Sequence, residues 1–190
     1  MISFSTMRII AMAATSLDGF ITKGDEAGTA FTSEADKAWF SKELKKFPVK
    51  VMGRKTFEAS QAYPTGQTID SSSQLRFVLT RSPESFRQLR VPGRLEFTDD
   101  SPKLLVQKII RAGHQDSQIV ILGGGSIYSG FLEAELVNEF WITLDPQLFG
   151  SGTPLLQQAT NSYLKLLEST TLGPSTLLLK YRCERSGIIS

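Results

Sequence analysis

Ile119-Val120-Ile121-Leu122-Gly123-Gly124-Gly125-Ser126-Ile127-Tyr128 decides how this chain reads. The four apolar residues predict a buried strand, and Ser126 to Glu133 predicts a helix. Three glycines between them let backbone N–H groups approach an anion at the helix's positive end. The Rossmann spacing G-x-G-x-x-G is not met, because Tyr128 stands at its third glycine. Alone, the stretch reads equally as a tight turn.

The same strand-to-helix turn recurs upstream. Val49 to Met52 is an apolar strand, Gly53-Arg54-Lys55-Thr56 follows it as a basic turn into a helix, and Thr56 to Gln61 forms that short helix. Cations at a helix start conflict with the helix dipole, and a bound anion removes that conflict. A solvated basic helix start is the plain alternative. Phe77 to Thr80 is a third strand, ending in Thr80-Arg81-Ser82. A cation and two hydroxyls there suit the phosphate that separates NADPH from NADH, or a surface turn.

An earlier helix carries one carboxylate of interest. Thr32 or Ser33 caps Glu34 to Lys46, and Asp36 lies three residues after Ser33, the capping-box spacing. Phe40 falls four residues beyond Asp36, on the same face. A carboxylate beside apolar surface is desolvated, which raises its pKa and suits proton transfer. The plain reading is an acid stabilised by the helix dipole.

The remaining elements follow from period and punctuation. Arg8 to Thr15 and Leu95 to Phe97 read as strands. Pro102 to Ala112 is a helix stopped by Gly113, Glu139 to Leu144 is a strand, and Leu164–Thr171 with Thr176–Cys183 is a hairpin around Gly173-Pro174. Asp70 to Ser73 reads as a loop, and the polar stretch from Gly19 to Ala30 as a mobile loop that closes over a site. Strands alternate with helices until about residue 136 and then dominate. That pattern predicts an α/β fold with a mainly parallel sheet and an antiparallel edge.

Composition narrows the classes. The chain has 190 residues and a formal charge of +2, which fits one domain spanning 1–190 and no nucleic-acid partner. The N-terminus has no charged leader, and Ile9 to Ala14 is too short for a membrane span of about 20 residues. One cysteine, Cys183, excludes an internal disulfide and points to the cytoplasm. One histidine, His114, leaves no zinc site and no Cys–His dyad. The apolar hairpin with Leu177-Leu178-Leu179 is the expected edge for a homodimer.

Taken in register, the motifs resemble the dihydrofolate reductase superfamily. They are Asp36-x-Ala38-Trp39-Phe40, Met52-Gly53-Arg54-Lys55-Thr56, Gly123-Gly124-Gly125 with Tyr128 and Phe131-Leu132, and Ile142-Thr143 with Asp145. The resemblance runs from Arg8 to about Cys183. It implies a twisted sheet of about eight strands and bound NADPH. It places Gly53, Arg54, Lys55 and Thr56 at the phosphates and Leu79, Thr80 and Arg81 at the adenosine end. Gly123, Gly124, Gly125, Ser126, Ile127 and Tyr128 fall over the nicotinamide and pyrophosphate, with a cis peptide at Gly123–Gly124. Ala13, Ala14 and Ile21 flank the nicotinamide. By the same resemblance Asp36 matches the buried acid that binds the pterin and assists its protonation, with Thr143 as its hydrogen-bond partner and Phe40 as a pocket wall.

Ser16-Leu17-Asp18-Gly19 and Leu148 to Leu155 resemble the reductase domain of bacterial riboflavin biosynthesis proteins. The family's arginine for the folate tail has no match. Gln74 falls near its place, and Arg76 is expected on the opposite strand face. Lys37 replaces an apolar pocket residue, which favours an anionic substrate. The implied activity is NADPH-dependent hydride transfer to a small heterocycle. Dihydrofolate, a ribosylamino-pyrimidine and a non-catalytic NADPH-binding module are the competing readings.

Overall fold

The computed structural model describes residues 7–61, 74–158 and 162–184. The predicted loop at Asp70 to Ser73 and the N-terminal residues 1–6 lie outside them. Eight strands form one sheet in the order β4-β3-β2-β5-β1-β6-β8-β7. They are β1 (Arg8–Ser16), β2 (Val49–Gly53), β3 (Leu75–Leu79), β4 (Leu95–Thr98), β5 (Gln118–Ile121), β6 (Glu139–Asp145), β7 (Tyr163–Leu172) and β8 (Thr176–Glu184). The pairs from β4 to β6 are parallel, whereas β8 runs antiparallel to both β6 and β7.

Among the described residues, four α-helices cover the sheet: α1 (Glu34–Leu44), α2 (Arg54–Gln61), α3 (Pro102–Ile109) and α4 (Gly125–Glu133). Alternation along each strand divides the core. Ile9, Ala11, Val51 and Phe77 face Leu105, Ile109 and Phe131 of α3 and α4. On the other face the core splits in two. Ile10, Met12 and Val120 pack with Trp39, Phe40 and Leu44 of α1. Met52, Val78 and Leu95 pack with Phe57 of α2. Residues of both clusters, among them Met12, Phe40 and Met52, border the cavity that holds the site.

The helix ends are informative. Ser33, not Thr32, caps α1, and its Oγ accepts from the Asp36 N–H at 3.1 Å. Helix α1 stops at Leu44 rather than Lys46. Gly113 ends the turn that follows α3 with φ of 91°. A 3-10 helix at Pro83–Leu89 is absent from the sequence expectation, because Arg81-Ser82-Pro83 signals only a turn.

The C-terminal hairpin forms as expected, with β7 at the sheet's outer edge. Leu178 of β8 faces inward and is buried. The exposed apolar residues of the hairpin are instead Tyr163, Leu166 and Leu167 of β7. A register shift between Leu166 and Glu168 interrupts that edge.

Candidate active site

Strands β2 and β5 are neighbours, so their two glycine turns meet. The Gly53 N–H donates to the Gly123 carbonyl at 2.7 Å. A Cβ on Gly53 would lie 3.0 Å from Ile127 Cγ1 and 3.5 Å from Gly124 N. The Gly123–Gly124 peptide is cis. Tyr128 supports this turn from behind: its buried hydroxyl donates to the Met12 carbonyl, and its ring lies against Gly123. Burial pushes the Tyr128 phenol up, so it stays a neutral donor.

Capping distinguishes the helices. Ser33 and Ser101 cap α1 and α3. Gly124 gives α4 no side-chain cap, and neither α2 nor α4 has an acid in its first turn. The first N–H groups of a helix need acceptors, and here both helix starts face one cavity. That arrangement fits an anion bridging the two turns. Arg54 Nη1 is also bound to Glu58, at 2.7 and 2.9 Å, so part of its guanidinium is already engaged. Thr80 and Arg81 border the same cavity at the end of β3, where the Ser82 N–H donates to Thr80 Oγ1.

The cavity measures about 1570 Å³. One drug-sized ligand needs only ~300–1000 Å³, so this space accepts a dinucleotide and a second molecule together. The residues expected at the cofactor, the substrate and the acid all line it, including Ala13, Ala14, Ile21, Lys37, Phe40, Leu79 and Thr143.

Asp36 is 4% exposed, and its Oδ1 has no hydrogen-bond partner among the described residues. Burial raises its pKa above the ordinary 3.8, and the charge of Asp145 adds to the rise. The hydroxyls of Thr143 and Thr32 and the charge of Lys37 oppose it. Asp145 ends β6 two residues after Thr143, so the two share a strand face. It too is buried, and its Oδ2 has no partner among the described residues. Thr176 Oγ1 donates to Asp145 Oδ1 at 3.3 Å and meets Ser33 Oγ at 2.9 Å. The helix cap, the hairpin and the two carboxylates thus form one polar cluster. Two like charges in such a place favour retention of a proton on one of them.

The RibD C-terminal domain model matches residues 7–178. The chain belongs to this family. An uncharacterized Bacillus subtilis protein, YwjB, is 25% identical over 177 residues, covering 92% of this chain and 97% of its own. A Thermotoga maritima deaminase/5-amino-6-(5-phosphoribosylamino)uracil reductase superposes with a TM-score of 0.72 at 15% identity, over 93% of this chain and 56% of that one. Enterococcus faecalis dihydrofolate reductase, complexed with NADP(H), gives 0.64 at 18% identity, over 94% and 97% of the two chains. The fold of this RibD C-terminal domain is therefore dihydrofolate-reductase-like.

Two expectations change in this RibD-family chain. The loop after Gly19 is tied down at its start: Ile21 N donates to Thr153 O at 2.8 Å, Gly24 N to Ser151 O at 3.0 Å, and Leu155 N to Gly19 O at 3.0 Å. Asp18 anchors the other side by accepting from the Phe149 and Gly150 N–H groups and the Ser16 hydroxyl. These hydrogen bonds hold its carboxyl at about 2. Lys37 lines the cavity, yet its ammonium pairs with Glu34 at 2.7 Å on the helix surface.

Sequence reasoning missed two cations and one acid. Arg76 lines the cavity instead of facing away. Positions 74 and 76 are two apart, so strand alternation keeps them on one face. Lys50, read as part of an apolar strand, lines the cavity beside it. Asp145 was legible only as part of a motif. Among the described residues, no group of three His, Cys, Asp or Glu side chains is placed to hold a metal, and no helix is long and apolar enough to cross a membrane.

Proposed function

We propose that this chain is an NADPH-dependent reductase of a small nitrogen heterocycle, of the aminopyrimidine or pterin class. One observation carries the reading. A buried carboxylate whose Oδ1 has no partner among the described residues, Asp36, shares a cavity with the starts of α2 and α4, neither of which has an acid in its first turn. Membership of the RibD C-terminal domain family supports a pyrimidine reductase, and Asp36 supports a pterin-like ring edge.

NADPH, when bound, supplies the hydride. Gly53, Lys55, Thr56 and the Gly124–Ile127 turn would hold its pyrophosphate, and Leu79, Thr80 and Arg81 its adenosine end. Ala13, Ala14 and Ile21 would flank the nicotinamide. Asp36 binds a ring N–H of the substrate and keeps a proton available at its carboxyl. Thr143 orients that carboxyl, and Phe40 walls the ring and excludes water.

The test is NADPH oxidation by purified protein with 5-amino-6-(5-phosphoribosylamino)uracil and, separately, with dihydrofolate. Turnover of either supports the reading. Protein that binds NADPH and reduces neither sinks it. Arg81→Ala should cut the preference for NADPH over NADH roughly tenfold to a hundredfold, as expected for a lost charge-assisted hydrogen bond of about 1.5–3 kcal/mol. Equal preference in variant and parent, from fluorescence titration, would leave the extra phosphate elsewhere.

A homodimer is proposed through β7, whose Leu166 and Leu167 are 52% and 42% exposed at the sheet edge. Sedimentation equilibrium at micromolar concentration should give twice the chain mass of 21.0 kDa. A monomer mass removes the idea.

A further inference from the structure

Asp36 and Thr143 border the cavity, whereas Asp145, two residues further along β6, does not. Asp145 is only 2% exposed, and its Oδ2 has no partner among the described residues. A carboxyl buried in this way is costly unless hydrogen bonds offset the burial. A chain of hydroxyls leads from it to Asp36. The Asp36 N–H donates to Ser33 Oγ at 3.1 Å, Ser33 Oγ lies 2.9 Å from Thr176 Oγ1, and Thr176 Oγ1 donates to Asp145 Oδ1 at 3.3 Å. Proton counting fixes the direction. Thr176 gives its proton to Asp145 and accepts from Ser33, which accepts from the Asp36 N–H. The reverse direction leaves the Ser33 proton without an acceptor in the chain. Asp145 therefore stands at the end of the chain as a pure acceptor, the role of a carboxylate.

The two carboxyls differ in what holds them. Burial raises both. Against it, Asp145 accepts the Thr176 hydroxyl and the Ser33 backbone N–H. A backbone N–H only donates, so it always favours the ionised form. Around Asp36 stand the hydroxyls of Thr143 and Thr32, which rotate to donate to a carboxylate or to accept from a protonated carboxyl. Thr32 Oγ1 has the Thr29 carbonyl as an alternative acceptor at 3.1 Å, which leaves its oxygen available to a proton on Asp36. The other groups facing the pair do not reverse this order. Lys37 of α1 acts on both carboxyls and is paired with Glu34. Ser16 of β1, in register with Asp145, gives its hydroxyl to Asp18. The charge of Asp145 raises Asp36, so an anion at one position keeps the proton at the other.

We propose that Asp145 is a positioning residue for Asp36: it stays ionised behind the cavity, anchors the cap of α1 through Thr176 and Ser33, and leaves the transferable proton on Asp36. The use of that proton in turnover rests on the reductase reading, whereas the order in which the two carboxyls ionise does not. Thr176 belongs to β8, so the C-terminal hairpin takes part in setting the acid.

The experiment follows the carboxyl carbons of Asp36 and Asp145, assigned through their backbone resonances, in an NMR titration of the whole chain. In the parent, Asp145 should ionise first and Asp36 at higher pH. Asp145→Asn keeps an acceptor for Thr176, and its amide nitrogen takes the place of the oxygen without a partner, so the charge alone is lost. The Asp36 midpoint should then fall by about one pH unit or more, the effect of removing one nearby like charge. Thr176→Val keeps the charge and cuts the chain. The Asp36 amide should exchange roughly threefold to tenfold faster, as for one lost neutral hydrogen bond, and Thr176→Ser should restore the parent rate. With a substrate that is turned over, the pH at which kcat falls should move down with the Asp36 midpoint in Asp145→Asn, and KM should change little. Asp36 ionising before Asp145 in the parent, or an Asp36 midpoint unmoved by Asp145→Asn, overturns the role of Asp145. The order is read in the parent alone, so the first of these results does not depend on a variant that folds. The expected order and shift in protein that never oxidises NADPH would sink the reductase reading and leave the pairing of Asp145 with Asp36 standing.

Discussion

Asp36→Asn should lower turnover by roughly 10²–10⁴-fold, the range for a lost general acid, and leave NADPH affinity unchanged. The asparagine amide has the same shape and fills the same place under α1. It cannot hold an exchangeable acidic proton, and its amide N–H₂ replaces an acceptor with a donor. Among the described residues Asp36 Oδ1 has no partner, so substitution there breaks no bond with them at that oxygen. Turnover within a few-fold of the parent, measured by NADPH oxidation, would remove Asp36 from the chemistry.

The same variant carries a stability signature. Burial holds the Asp36 pKa above its unfolded value near 3.8. A carboxyl with a raised folded pKa stabilises most when protonated, below the unfolded pKa. That contribution disappears as pH rises through the folded pKa. At neutral pH the parent therefore retains a destabilising tension that asparagine lacks. Asp36→Asn should melt higher than the parent above the Asp36 pKa and lose this advantage at acid pH. Rate behaves in parallel: the parent's kcat should fall as pH rises through that pKa, and the variant's residual rate should lack this limb. A function-linked gain in stability of this kind is expected where a buried charge serves chemistry rather than packing.

Much of the architecture was legible because local signals agreed. The runs at Ile9 to Ala13, Val49 to Met52 and Ile119 to Ile121 are buried in a parallel sheet, where both faces demand hydrophobic residues. Ser33 and Gly113 marked helix ends through cap chemistry and positive φ. Sites built on main chain, such as Gly53 and Gly123-Gly124, were legible for the same reason: the glycines record a close approach. Side-chain sites built across elements were not. Lys50 looks like an interruption in an apolar strand until β3 brings Arg76 beside it. Asp145 acquires meaning only when the hairpin returns Thr176 to it and α1 brings Asp36 near. The tether of residues 16–24 was equally hidden, because its partners lie some 130 residues away, as with Asp18 and Gly150. Nothing local in a polar, glycine-containing stretch separates a free loop from a tied one.

Gly152→Ala should release that tether and impair turnover more than it lowers global stability. A Cβ at Gly152 would lie 1.9 Å from the Thr22 carbonyl oxygen and 3.0 Å from its carbon. Both contacts are backbone, so no side-chain rotation relieves them. The residue also holds φ of 149°, a region L side chains rarely adopt. Overpacking and strain together cost about 3 kcal/mol or more locally. Three bonds lie directly in the path of the displacement: Thr153 N to Thr22 Oγ1, Ile21 N to Thr153 O, and Gly24 N to Ser151 O. Ile21, Thr22, Gly24 and Thr153 all border the cavity, so the wall facing the nicotinamide position moves with them. About 3 kcal/mol corresponds to roughly 100-fold, at tenfold per 1.4 kcal/mol. The amides of Ile21 and Gly24 should exchange faster by about that factor in hydrogen-exchange NMR, while buried β1 and β5 amides change little. Gly150→Ala is the control: its φ is also positive, at 70°, but nothing lies within 4 Å of its Cβ position. Gly150→Ala costs only about 1–2 kcal/mol of left-handed strain. Equal exchange rates in the two variants would mean that contact with Thr22 does not hold the loop, and that its order comes from the Asp18 anchor instead.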